Sequence, residues 1–493
     1  MSITHRGFFL TILACIILKI ILAVYLPLLN DEAYAIAVSK EFSLSFFDHP
    51  PIGFWLASLF TDLSGLQKPF LFRLPYILCG IGTTYTLFLL GKEVGNHSVG
   101  LWSALIYSVA PFFMVSGGFL IVPDGPLNLA IVLSALCIIN LHKGQGRHDN
   151  LLLILLGICL AFSFASKYQG FLFGLGCVLV LVTSPKRGTL LVNPYFYLCA
   201  LISFLGLIPT LVWNLQHEWA SFQFHGARQG TSLHADNFLK MLLGTMIYLL
   251  PTILLIPIFH FISFFSKIKN WSHLNLANWQ LLLMAIPNIL VFTLVFLFSP
   301  NTFPHWIMPG WLLLVPLVGK VLGNPKAYFQ KFFFVLSVLT VWPILGSLII
   351  HSQTGFLTNH KAEIPTWDNT IELIDWSPLK KPIEELMTNY YDMDKPKLAA
   401  LTWMEAGQLS TVMQNKFETL VIDSDPHHFL FLKKSPTIGK TFLVKLSLGS
   451  KPDISSTLVR IKKFDEKAIH LKNIILSRGK RNYATASIYL LNK

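Results

Sequence analysis

Apolar runs of about 20 residues recur from the N-terminus to about residue 350, each long enough to cross roughly 30 Å of hydrocarbon as a helix. A chain built this way must satisfy its backbone inside its own helices, so the fold class is a polytopic α-helical membrane protein. Composition agrees: 53% of the 493 residues are hydrophobic and 13% are charged, far from a soluble domain's balance. After residue 350 the pattern stops. The stretch 351–493 carries charge throughout and no spanning run, which divides the chain into a membrane domain, 1–350, and a soluble domain, 351–493.

Spans are expected at roughly 7–29, 72–91, 97–118, 124–142, 149–165, 168–184, 190–213, 238–265, 279–299, 306–323 and 331–350, about eleven in all. The start has a signal-like basic flank, but its apolar stretch is too long and no A-x-A site follows, so it reads as a retained first span. With the N-terminus inside, every inside loop or its flank carries a Lys or Arg: Lys92, Lys143 with Arg147, Lys186 with Arg187, Lys267 with Lys269, and Lys320, Lys326 and Lys331. That satisfies the positive-inside rule. An odd span count puts the soluble domain outside, together with the loops that hold Asp31, Glu32, Asp48, Asp124 and Glu218. The short pair around Ser166 to Gln169 is where this parity is most exposed.

The net charge of +13 is scattered over loops and tail rather than gathered in a stripe, which argues against nucleic acid as a partner. All six cysteines fall inside expected spans, so neither a disulfide framework nor a Cys-based metal site is indicated. His427 and His428 lack a recognised metal-ligand spacing and read as a loop pair beside the turn residues Asp423 and Asp425. Lys19, inside the first span, reads as a lysine snorkelling from a tilted helix. In the tail, LVKLSL, LVRIKKF and ASIYLLN alternate with polar stretches, as a small mixed α/β domain would. Such a domain would cover the cavity or help select the acceptor.

The first outer loop, 30–70, is neither a span nor an ordinary polar loop. Its sequence NDEAYAIAVSKEFSLSFFDHPPIGFWLASLF suggests two short interfacial helices separated at Pro50-Pro51. Two carboxylates placed directly after a hydrophobic span are costly unless used or paired. Asp31 and Glu32 therefore read either as a base for a hydroxyl acceptor with a carboxylate neighbour, or as acids in the first turn of a helix. Asp124, in Pro-Asp-Gly, reads as a second cavity acid or as a turn residue. The loop VWNLQHEWASFQFHGARQG offers His217, His225 and Arg228, donors suited to an anionic leaving group, among aromatics that would equally suit a membrane belt.

This loop resembles the first outer loop of the bacterial polyprenol-phosphate-sugar glycosyltransferases related to the protein O-mannosyltransferases and the lipid A aminoarabinose transferase: Asp-Glu, an aromatic-rich helix, then aromatic-Asp-His-Pro-Pro. FRLPYILCGIGTT, PDGPL, SKYQGFLFGLG, WNLQHEWASFQFHGARQG, PNTFPHWIMPGWL, KLAALTWMEAGQLSTVMQN and LVIDSDPHHFLFL follow in the same order. The segment AYAIAVSKEF departs from it by carrying fewer aromatics than relatives often do.

The resemblance implies a C-type glycosyltransferase fold whose donor is a sugar on a polyprenyl phosphate and whose acceptor is an envelope molecule, in the inner membrane with the active site on its outer face. It makes Asp31 the catalytic acid, Glu32 its partner and Asp124 the second cavity acid. Lys68, Arg73, His225 and Arg228 become candidates to hold the donor phosphate, and Tyr34, Asp48 and His49 candidates to line the substrate cavity. No cofactor is required, and a divalent metal is compatible with the acids although no spacing calls for one. The rival reading from another class is a multi-span lipid or sugar transporter or flippase, which acids near one face would also suit. No internal repeat supports it.

Overall fold

The computed structural model describes residues 3–64, 68–144, 146, 148–227, 230, 232–265, 276–299, 302–357, 368–389, 396–423, 425–434, 440–449, 452–479 and 481–492. Arg147, Lys267, Lys269 and Arg228 lie outside them. The helices in chain order are α1 (Ile3–Tyr25), α2 (Asn30–Ser39), α3 (Ile52–Ser64), α4 (Pro69–Val94), α5 (His97–Val109), α6 (Pro111–Val115), α7 (Asp124–Lys143), α8 (Asp149–Ser166) and α9 (Gln169–Thr183). Next come α10 (Arg187–Leu191), α11 (Pro194–Leu205), α12 (Ile208–Gln216), α13 (Ala220–Ala227), α14 (Ala235–Leu249), α15 (Pro251–Phe265) and α16 (Leu276–Phe298). The last are α17 (Met308–Leu322), α18 (Tyr328–Thr354), α19 (Lys380–Thr388), α20 (Trp403–Val412) and α21 (Ile454–Ile461).

Eight helices among the described residues are long and apolar enough to cross a membrane, and up to nine if one bent pair counts as a span. Each of the eleven expected spans contains helix, but three are built differently. Residues 97–118 are two helices: the Pro111 ring cannot continue α5, so Ala110 turns extended and α6 restarts at the proline. The run at 168–184 gives only the 15-residue α9. Residues 238–265 are broken by 113° between α14 and α15, at Leu250, whose φ of 72° no helix allows and which precedes Pro251. The chain is a multi-pass membrane protein, and its outer helices look like one. Phe332, Leu339 and Ile344 on α18 are 62%, 65% and 62% exposed, a cost in water but not in lipid.

The chain divides into two compact units: Met1–Val24, Ser43–Leu56 and Arg73–Trp342 form one, and Tyr25–Phe42, Ala57–Phe72 and Pro343–Lys493 the other. This partition differs from a cut at residue 350, because α2 belongs with the C-terminal residues. In the first unit the core runs through Leu87, Tyr107, Phe113, Ile131, Leu156, Phe173, Met284 and Leu312. Close packing there uses glycine: a Cβ on Gly80 of α4 would stand 2.9 Å from the Gly118 carbonyl oxygen, so any side chain would push the loop before α7 away. Lys19 does not snorkel. It is fully buried in α1, 5.5 Å from the centre of the Tyr107 ring, and its Nζ has no hydrogen-bond partner among the described residues. The ring face supplies the attraction that water would have given.

The second unit is built on a five-stranded sheet of order β2-β1-β3-β5-β4, with β1 (Lys397–Ala400), β2 (Thr419–Val421), β3 (Thr441–Leu448), β4 (Ile469–Arg478) and β5 (Arg481–Leu491). β1 runs parallel to β2 and β3, and the other pairings are antiparallel. Alternation along the strands separates two cores: Leu398, Phe442 and Ile488 on one face, Ala399, Leu443 and Tyr489 on the other. LVKLSL and ASIYLLN lie in β3 and β5, but LVRIKKF falls in and just after α21. There Ile454, Leu458 and Ile461 recur at helical spacing against the second face, and Asp453 caps the start by accepting the Ser456 N–H at 3.0 Å. At the end of α18, His351 meets Asp368 at 3.2 Å, and Arg478 donates to the Thr370 hydroxyl at 2.8 Å with its guanidinium 4.1 Å over the Tyr483 ring. Burial lowers the Arg478 pKa to about 10, against the opposing pull of Asp368.

Candidate active site

α2 begins at Asn30 because the residue before it, Leu29, is extended and Glu32 reaches back: its Oε2 accepts the Leu29 N–H at 3.0 Å. That is one half of a capping box. Glu32 is fully buried, as are the residues from Ala33 to Ser39, while Asp31 is the one exposed residue of the helix. The two neighbouring carboxylates therefore have different jobs. Glu32 fixes the start of the helix, and Asp31, in the same first turn, is exposed. Tyr34 is buried, its hydroxyl accepting the His428 N–H at 3.2 Å and its ring edge-on to Trp403 at 5.0 Å. It packs the helix rather than lining an open cavity. His427 and His428 are likewise buried, His427 stacked on Trp403 at 4.5 Å.

Glu372 was not foreseen from the sequence. Crowding by surrounding atoms, and then the negative charge of Asp31, push its carboxyl above its ordinary value. Repulsion between carboxylates is mutual, so Asp31 and Glu372 lie within electrostatic reach of each other. With Asp31 as the base, Glu372→Gln is expected to move the acidic limb of the pH–rate profile to lower pH. A profile measured from pH 4 to 8 that stays in place would show that the two groups do not interact in the working protein.

In the other unit, Asp124 opens α7 directly after Pro123 and is 4% exposed. Both its oxygens accept from the Lys167 Nζ, at 2.8 and 3.0 Å. Lys167 occupies the extended residue that ends α8, so the two-residue break before α9 presents a cation to Asp124. His305, in the 3-10 turn Pro304–Ile307, lies within electrostatic reach of both. Asp124 is thus more than a turn residue. Lys167 and His305 sat in the runs SKYQG and PNTFPHW without attracting notice. The available signal was a lone lysine in an outer break on the same side as Asp124.

Asp48 and His49 sit in the turn before Pro50, the His49 Nε2 3.9 Å from an Asp48 carboxylate oxygen. The Asp48 carbonyl accepts from His225 Nε2 at 2.9 Å, and the Phe46 carbonyl accepts from the Ser221 hydroxyl at 3.1 Å. These bonds pin the Asp-His-Pro-Pro turn to α13. Tyr168 stands edge-on to His225 at 5.0 Å, and burial pushes its hydroxyl up to about 12. Asp48, His49, His225 and Tyr168 thus form one partly buried polar group. Arg73 is not available in the same way. It is fully buried, donating to the Ala23 carbonyl at 2.9 Å with its guanidinium 5.7 Å from the Phe119 ring, which ties α4 to α1. Lys68 is exposed just before α4. Among the described residues no three His, Cys, Asp or Glu side chains gather as a metal-ligand set.

Residues 48–213 match the family described as dolichyl-phosphate-mannose-protein mannosyltransferase. Two crystal structures of ArnT from Cupriavidus metallidurans share the fold: one bound to undecaprenyl phosphate (TM-score 0.61) and one in the apo state (TM-score 0.62), each at 12% identity and covering 98% of both chains. No curated protein matches by sequence. The chain therefore has the C-type glycosyltransferase fold over nearly its whole length, resembling ArnT in structure and the mannosyltransferase family in the segment that runs from the Asp-His-Pro-Pro turn to α12.

Proposed function

We propose that the protein is a glycosyltransferase that moves a sugar from a polyprenyl-phosphate donor to an envelope acceptor, lipid A or core, another glycan or a protein, on the outer face of the inner membrane. The observation that carries this reading is the exposure of Asp31 on a helix whose residues from Glu32 to Ser39 are buried. The acceptor oxygen attacks the anomeric carbon as the bond to the donor phosphate breaks. The phosphate leaves with the bonding pair, and Asp31 takes the acceptor proton. Inversion follows from attack on the face opposite the leaving group. Lys68 and, when protonated, His225 are the candidates to neutralise the phosphate, with Asp48 and His49 beside His225. No metal is needed for this sequence of steps. Asp124 works in its pair with Lys167, keeping a buried charge fixed near the membrane surface.

The test pairs two measurements. Purified protein in detergent should gain thermal stability with added undecaprenyl phosphate, and mass spectrometry of lipid A and envelope glycans should lose one sugar when the gene is deleted. Unchanged glycans together with an unchanged midpoint would remove the reading. The flippase alternative predicts transport that survives Asp31→Asn.

A further inference from the structure

We infer that α20 of the C-terminal domain is a positioning element for the catalytic carboxylate, acting through Gly407 and Gln408. The inference rests on the reading of Asp31 as the base and concerns how that base is held.

α2 and α20 lie in one compact unit and meet without intervening side chains. At Gly407 a Cβ would stand 2.7 Å from the Tyr34 nitrogen and 2.8 Å from its Cα. Those atoms are backbone, so any residue but glycine would force the two helices apart. From the next residue, the Gln408 side-chain amide donates to the Leu28 carbonyl at 2.9 Å and to the Asn30 side-chain oxygen at 3.2 Å. Thr411 adds a bond from its hydroxyl to the Ala33 carbonyl at 3.1 Å. Asp31 follows Asn30 directly, so Gln408 from α20 and Glu32 from within α2 hold the three residues that lead into it. The aromatic group of Tyr34, Trp403 and His427 closes the contact further along.

These bonds fix the N-terminal turn in direction as well as place, since a shift of α20 along α2 would break both amide bonds at once. A base must sit within hydrogen-bond reach of the proton it takes, and a displacement of about 1 Å costs on the order of 10²-fold in rate. The tail thus holds the turn that carries the base.

Two variants test this in the full-length protein. Gln408→Met keeps the volume but loses both donors, and Gly407→Ala inserts the colliding Cβ. Transfer should fall about 10²-fold in each, while the affinity for undecaprenyl phosphate stays unchanged. Hydrogen exchange at the Leu29 and Ala33 amides, whose partners are Glu32 and the Leu29 carbonyl, should become about ten-fold faster. Full transfer in folded Gln408→Met protein, or lost transfer with unchanged exchange at those amides, would overturn the inference. If Gly407→Ala does not fold, Gln408→Met decides alone. Transfer surviving Asp31→Asn would remove the base, whereas the exchange of Gln408→Met still reports on the grip.

Discussion

Asp31→Asn should reduce sugar transfer by about 10²–10⁴-fold, the usual worth of a positioned general base, while the protein inserts and folds as before. Asparagine keeps the size of the side chain and its place in the first turn of α2, so only the proton acceptor is lost. Glu32→Gln provides the contrast. Its amide oxygen can still accept the Leu29 N–H that Glu32 now accepts, and transfer should stay within several-fold of the parent, as a capping role requires. Glycan mass spectrometry on cells carrying each variant reads both. Equal losses in the two would return Glu32 to the chemistry, and full activity in Asp31→Asn would move the base elsewhere.

The second large effect is on stability. Lys167→Met leaves the Asp124 carboxylate 4% exposed with its close cation gone. Breaking a buried pair from one side costs about 3–5 kcal/mol. The thermal midpoint in detergent should drop sharply, or the variant should fail to accumulate. Removing both charges, as Asp124→Leu with Lys167→Met, should recover most of the stability, because desolvation and attraction roughly cancel for an intact buried pair. A single variant as stable as the parent would mean that the pair is hydrated in the membrane.

Much of this architecture was legible in the sequence because span length and loop charge are local properties. The positions of the helices followed from apolar runs, and Asp31 stood out because a carboxylate at a membrane surface demands a reason. What escaped were relations between distant segments. Lys19 looked like a snorkelling lysine because its partner, Tyr107, lies on another helix, and a hydropathy window cannot see a ring face. Lys167 looked like part of a short break because Asp124 is 43 positions earlier. Gly407 and Gln408 lay within a run already matched to the family region, yet nothing local tells that a glycine is there for the backbone of residue 34. The run LVRIKKF shows a different failure. It is short enough to alternate like a strand while also fitting a helix of period 3.6, and only packing against the sheet decides between them.

The burial of Lys19 has a consequence for biogenesis. α1 is made and threaded into the bilayer before α5 exists, and at that moment its lysine has no aromatic face to lie against. A lysine at the centre of a lone span costs about 2.5–3.5 kcal/mol on insertion scales and less toward its end, where Lys19 stands. The Lys19–Tyr107 contact therefore forms only once the helix that carries the ring has been made, and it ties the first span to a later one.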